Sequence, residues 1–132
     1  HHTIEDIGIV MGKAFSEALG DKKGIMRYGT FFLPMDECLA MVSLDISGRP
    51  YLHYEVPPMS EMVGNFDTQL VEEFLRAFCI HGGITIHARV LYGKNTHHII
   101  EAIFKCLGHA LRIAVSTDPA LKGVPSTKGI ID

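Results

Sequence analysis

A long-range repeat constrains this chain more than anything else in it. The opening "HHTIEDIGIV" has a second copy at residue 97, "HHIIEAIFKC". With His97 laid over His1, His2 matches His98, Ile4 matches Ile100, Glu5 matches Glu101 and Ile7 matches Ile103. The agreement continues through Gly12 and Gly108, Ala14 and Ala110, Ala18 and Ala114. An affinity tag would not recur deep inside the chain. A helix-sized element that recurs this way points to a duplicated α/β unit, each half packing a helix pair against a sheet. The second copy follows a helix, a glycine turn and a strand. The first is expected to do the same, so the chain is expected to be the C-terminal two thirds of a longer protein.

Periodicity supplies the elements between the copies. From His1 to Leu19, the residues Ile4, Ile7, Val10, Met11, Phe15 and Leu19 share one helical face, and Gly20 stops the run. Met26 to Leu33 reads as a strand ended by Pro34, and "CLAMVSLDIS" alternates as a strand should. "SGRP" is a turn, "YLHYEV" another strand and "PPMSEMVGN" a loop. A helix is expected from Thr68 to Ile80, with Asp67 as cap and Gly82-Gly83 as stop, followed by the strand "ITIHARVL" and a helix from His97 to Ala114. The tail "STDPALKGVPSTKGIID" is irregular, and a long irregular tail in a small domain is more often functional than idle. The expected division is residues 1–56 as the remainder of a first half and 57–132 as a second half plus the tail.

At 132 residues and 47% hydrophobic, the chain is one globular domain's worth. A net charge of −3 leaves no basic stripe for nucleic acid. No apolar run approaches the roughly 18 to 20 residues of a membrane span, and no leader pattern is present. The three cysteines, Cys38, Cys79 and Cys106, are scattered in apolar stretches, which argues for reduced thiols filling a core in a cytoplasmic protein.

Histidine is the unusual count, at 8, four of them in two adjacent pairs. On a helix, residues four apart share a face and neighbours diverge by about 100°. His1 with Glu5 and His97 with Glu101 can each grip one ion, while His2 and His98 point elsewhere, toward a second ion or a neighbouring subunit. His87, in the preceding strand, is a further donor. One HHxxE alone would more often be a solvated face; the duplicate on otherwise apolar helices reverses that balance. Nitrogen and carboxylate ligands without thiolate suit Mn, Fe, Ni or Zn. His53 and His109 read as structural, and His81 as a cap on a helix dipole. Arg27, Arg49, Lys105 and Lys128, with Ser126 and Thr127 in the tail, could form a phosphate clamp near the metals.

The stretches HHTIEDIGI, GIMRYG, PMDE, DISGRP, FDTQLVEEF, GKNTHHIIEAIFK and VPSTKG, in this order, closely resemble the imidazoleglycerol-phosphate dehydratases of histidine biosynthesis. The resemblance covers essentially the entire chain. It implies an α/β (α+β) fold of the ribosomal protein S5 domain 2-like kind: duplicated half-domains, each a mixed four-stranded sheet with helices packed on one face. It implies a 24-mer with active sites between subunits, each around two manganese ions. Carried over by position, it makes His1, His2, Glu5, His87, His97, His98 and Glu101 metal ligands, and Arg27, Arg49, Lys105, Ser126 and Lys128 contacts to a small phosphorylated imidazole substrate. The implied reaction is dehydration of imidazole glycerol phosphate to imidazole acetol phosphate, with Glu101 or Glu5 as candidate for proton transfer. Family members carry a segment before the first HH, holding a further metal-binding histidine and a substrate-contacting glutamate. Without it, a fragment is expected to fold poorly or to be inactive alone. Two other readings of the same ligands remain open: a dinuclear metal hydrolase of phosphate esters, and a non-catalytic assembly stapled by metals.

Overall fold

The computed structural model describes residues 2–121 and 123–131. The elements are α1 (His2–Leu19), β1 (Tyr28–Met35), β2 (Cys38–Asp45), β3 (Tyr51–Glu55), β4 (Met62–Val63), β5 (Phe66–Asp67), α2 (Leu70–Gly82), β6 (Thr85–Tyr92) and α3 (Thr96–Val115). Four strands form a mixed sheet in the order β1-β2-β6-β3, with β1/β2 and β2/β6 antiparallel and β3/β6 parallel. A parallel neighbour requires a crossover, and α2 provides it between β3 and β6.

Strand alternation assigns the two faces. Cys38, Ala40, Val42 and Leu44 of β2 are buried together with Ile86, Ala88 and Val90 of β6, and Leu52 and Tyr54 of β3 pack against them. Onto this face α2 brings Val71, Leu75, Phe78 and Cys79, and α3 brings Ile99, Ala102, Ile103, Cys106, Ala110 and Ala114. The opposite face carries Thr30, Ser43, His87 and His53 in one register row and stays open. Helix α3 lies very close to β1: a Cβ at Gly29 would overlap the carbonyl oxygen of Ala110, so only glycine fits there.

The expected mixed four-stranded sheet with helices on one face is present, but the boundary at residue 56 is not a structural division. Strand β6, from beyond it, is inserted between β2 and β3, which precede it. One complete α/β unit therefore runs from β1 to α3, and α1 stands outside it, packed along α2. Two local expectations also change. Pro34 does not end β1 but pairs with Leu39, which an edge strand allows because it needs no donor on its outer side. Asp67 lies in β5, and its carboxylate accepts the Gln69 N–H at 2.9 Å; α2 begins after Gln69, which makes no side-chain cap.

The tail returns along the start of β1. Ile25 bridges Thr117, Gly24 N–H donates to Gly123 O, and Met26 and Arg27 N–H donate to Ser116 O and Ala114 O. Residues 124–128 are thereby placed beside Arg27 at one end of the sheet.

Candidate active site

The N-termini of all three helices gather at one end of the molecule. Gly8 faces Phe74 and Ala77 while Gly12 faces Phe78, His81 and Gly82, so α1 and α2 run in parallel. The loop before α2 meets the start of α3, where Thr96 Oγ1 accepts the Ser60 N–H at 3.0 Å. Val63 and Phe66 line a cleft of about 340 Å³ with His97, Ile100 and Glu101. His2, Glu5, His97, His98 and Glu101 thus share one end of the chain, on either side of the start of α2; His1 lies outside the described residues.

At α3, Asn95 caps the helix by accepting His98 N–H at 3.0 Å on its side chain. The rings of His97 and His98 have centroids 6.4 Å apart and planes inclined at 66°. His97 Nε2 lies 3.3 Å from Glu101 Oε2, and Lys105 Nζ lies 3.2 Å from Glu101 Oε1. The hydrogen bond from Lys105, aided by His97, holds the Glu101 carboxyl below its ordinary range. A carboxylate held that way is a firm ligand and a weak proton acceptor near neutrality. His98 turns the other way: its Nδ1 donates to Glu37 Oε1 at 2.6 Å, and Asp36 Oδ2 lies 3.7 Å from its Nε2. Glu37 Oε2 also accepts the N–H groups of Lys94 (2.8 Å) and Asn95 (3.0 Å). These bonds, that of Lys94 first, pull the Glu37 carboxyl down to about 2, and Glu37 raises the His98 imidazole.

Beside α1, Glu5 shares a cleft of about 400 Å³ with Glu73, Arg76 and His81 of α2. His87 is not brought to this end. It sits mid-strand on the open sheet face, stacked on His53 at 5.3 Å and on Tyr51 at 6.0 Å. Alternation along β6 explains this, because Ile86 and Ala88 take the helix-covered side. Among the described residues, no three His, Cys, Asp or Glu side chains are gathered tightly enough to hold an ion.

The cationic residues occupy the opposite end. A cleft of about 530 Å³ is lined by Arg27, Tyr28, Ser47, Arg49, Ser126, Thr127 and Lys128, with no carboxylate among the described residues of its lining. Arg27 has φ of 73°, which costs a non-glycine residue roughly 1–2 kcal/mol. Backbone bonds at both its N–H (to Ala114 O) and its C=O (from Ile46 N–H) hold it there. Its Nε and Nη2 donate to Asp45 at 2.7 and 3.3 Å and its Nη1 to Pro125 O at 2.8 Å, leaving one hydrogen on each terminal nitrogen for an anion. Arg49 and Lys128 make no ion pair among the described residues. Arg27, Arg49, Ser126 and Lys128, the residues expected to clamp a phosphate, therefore line one cleft, but Lys105 is not among them, and the cleft is not near the histidines. Arg27 N–H bonds the last turn of α3 while His97 begins the first; at 1.5 Å per residue, the two lie about 25 Å apart along the helix.

Sequence reasoning missed Glu37, Asp45 and Glu73. All three lie inside stretches that carry the family resemblance, PMDE, DISGRP and FDTQLVEEF, but none of these stretches states a role for them. The fold brings Glu37 to His98 and Glu73 to Glu5.

Fold and site define an α/β protein that presents imidazole–carboxylate helix ends at one edge and a cationic cleft at the other. Residues 1–111 match the family model described as imidazoleglycerol-phosphate dehydratase. Imidazoleglycerol-phosphate dehydratase from Clostridium botulinum (strain 657 / Type Ba4) is 63% identical over 131 residues, covering 99% of this chain and 67% of the relative. That of Caldanaerobacter subterraneus subsp. tengcongensis is 61% identical over 131 residues, covering 99% and 68%. Among solved structures, imidazoleglycerol-phosphate dehydratase from Staphylococcus aureus matches with a TM-score of 0.87 at 53% identity, over 89% of this chain and 69% of that one. The Pyrococcus furiosus enzyme matches at 0.85 and 40%, over 98% and 70%. The chain spans about two thirds of the length of these relatives. It belongs to the imidazoleglycerol-phosphate dehydratase family.

Proposed function

We propose that this chain acts in histidine biosynthesis by removing water from imidazoleglycerol phosphate, giving imidazole acetol phosphate, at sites that each combine two copies of the chain. The observation that carries the shared site is the separation of its two ends. The substrate places a phosphate within a few bonds of its imidazole ring, whereas the phosphate cleft and the histidine helix ends of one chain lie the length of α3 apart. The histidine end of one copy facing the cationic end of another removes that distance. A homo-oligomer is thus part of the proposal, with a 24-mer as the assembly that the family resemblance implies. No helix among the described residues is long and apolar enough to cross a membrane, and the buried free thiols of Cys38, Cys79 and Cys106 support the cytoplasm as its compartment.

Arg27, Arg49 and Lys128, with the Ser126 hydroxyl, bind and orient the phosphate; Asp45 keeps Arg27 in place. The donor set at the other end fits manganese: imidazole nitrogens and carboxylates, with the thiols buried elsewhere. His2, Glu5, His97, His98 and Glu101 would hold the ions, with Glu73 available beside Glu5 and His1 in the matching position of the repeat. When bound, two such ions would supply Lewis acidity toward the substrate ring. The chain's task is then to accept the proton from carbon and return it to the leaving hydroxide, so that water is the by-product. Glu5 is the better candidate for that proton than Glu101, whose charge Lys105 and His97 already stabilise.

Complementation tests the shared site. R49A disables the cationic end and H98N the histidine end. Each alone is expected to be inactive, and unfolding and reassembling them together is expected to restore part of the activity through sites built from two intact ends. No recovery in mixed assemblies, with both variants assembled, would show that each chain forms its site alone.

A further inference from the structure

The contacts of Glu37 decide which nitrogen of His98 is free to bind an ion. Three donors converge on this one carboxylate: the N–H groups of Lys94 and Asn95 on Oε2, at 2.8 and 3.0 Å, and His98 Nδ1 on Oε1, at 2.6 Å. A carboxylate in that position has no proton of its own to offer, so His98 must supply the hydrogen from Nδ1. The neutral ring then keeps its lone pair on Nε2. No hydrogen bond holds a proton at Nε2, since Asp36 Oδ2 at 3.7 Å faces it from beyond hydrogen-bond reach. The arrangement is also anchored. Glu37 sits in the turn between β1 and β2, and its two backbone bonds reach across to the residues that lead into α3, so hairpin, helix start and imidazole are held by a single side chain. The Asn95 cap holds the backbone of His98 at the same time.

We propose that Glu37 is a positioning residue for the metal site: it fixes the His98 tautomer with Nδ1 protonated, aims Nε2 at the ion and increases the donor strength of that nitrogen. The proposal rests on the reading of His98 as a metal ligand given above. A carboxylate behind a ligating imidazole commonly governs affinity by 10- to 100-fold.

The test has two arms, on the full-length protein. The first uses no metal: the solid-state ¹⁵N spectrum of histidine-labelled protein, with the His98 signals identified by their loss in H98N. At a pH where the ring is neutral, a protonated Nδ1 and a bare Nε2 are expected; a neutral ring with its proton on Nε2 overturns the proposal. The second is Mn²⁺ titration of wild type, E37Q, H98N and the E37Q/H98N pair. The amide of E37Q has one acceptor oxygen and cannot serve three donors, so its Mn²⁺ affinity is expected to fall 10- to 100-fold. The pair is expected to bind no more weakly than H98N alone, because Glu37 acts through His98. Unchanged affinity in E37Q, where H98N has lost it, overturns the role of Glu37 and leaves the metal reading standing. Unchanged affinity in H98N, or no binding by wild type, overturns the metal reading and the role of Glu37 with it. If E37Q fails to assemble, the tautomer of the unsubstituted protein decides alone.

Discussion

The two copies of HHxxE sit on helices held by different means. Helix α3 is embedded: Asn95 caps it, Glu37 ties its second histidine to a hairpin, and a row from Ile99 to Ala114 is buried on the sheet. Helix α1 buries only Gly8 and Gly12, and Ile7, Val10 and Met11 remain 44%, 64% and 49% exposed. The same motif is thus positioned once by hydrogen bonds and a core, and once by glycine-mediated contact with another helix. A shared motif fixes the ligand types that two elements offer. What holds each in place comes from the fold around it.

The largest expected effect concerns whether both copies work. H98N in α3 and H2N in α1 are each expected to cost on the order of 100-fold in turnover and to lower the manganese bound per chain. Turnover and metal content of the two purified variants check this. Near-normal turnover in H2N would reduce the repeat to ancestry and leave α3 as the only working copy.

Much of this was legible beforehand, for identifiable reasons. Periodicity located all three long helices, and strand alternation separated Val42 and Leu44 from Ser43 and Asp45. The insertion of β6 between β2 and β3 was not legible, because parallel pairing through a crossover leaves no trace in the order of elements. That is why a boundary at residue 56 looked reasonable. The cationic cleft was readable as residue types but not as a place; only the return of the tail along Ile25 to Arg27 sets Ser126 and Lys128 there. His87 was drawn to the metal set by nearness in sequence to His97, and strand alternation turns it to the other face.

Alkali is expected to strike the layer of α2 and α3 before the α1 contact. Burial pushes the thiols of Cys79 and Cys106 up to about 12 and about 11, and the phenol of Tyr54, whose hydroxyl lacks a partner, up to about 12. Each group loses its proton more readily once unfolded. Above about pH 9 for the thiols and about pH 10 for the phenol, the unfolded chain therefore binds fewer protons, and stability falls as pH rises, by about 1.4 kcal/mol per pH unit for each such group, until the folded values are reached. Thermal melts from pH 7 to 11 should show this decline, and C79A/C106A should flatten it. An unchanged slope in that variant would assign the decline elsewhere.

Glycine 12 offers a sharper cut. A Cβ there would lie 2.9 Å from Gly82 N and 3.0 Å from both Phe78 O and His81 Cβ; backbone cannot yield as a side-chain tip can, so α1 must move off α2. G12A is expected to destabilise by about 1–3 kcal/mol, as overpacking does, and to disturb the Glu5–Glu73 cleft. Denaturant midpoints measure the first and metal content the second. A neutral G12A would mean that α1 is seated by contacts other than this close approach.

The smallest effect carries the comparison furthest, because Gly108 is the repeat partner of Gly12 and the same substitution should act there with opposite sign. It lies mid-helix in α3 with nothing within 4 Å of its Cβ position, beside the exposed Phe104 and His109. Alanine would add no clash and would restrict the unfolded chain, so G108A is expected to stabilise by about 0.4–1 kcal/mol. The gain should appear as a higher midpoint with an unchanged denaturant slope. The outcome also reports on the assembled protein. If the substitution instead destabilises, or stabilises only when the subunits are dissociated, another copy packs against α3 at this glycine; the two matched glycines would then both mark close approach, one within the chain and one between chains.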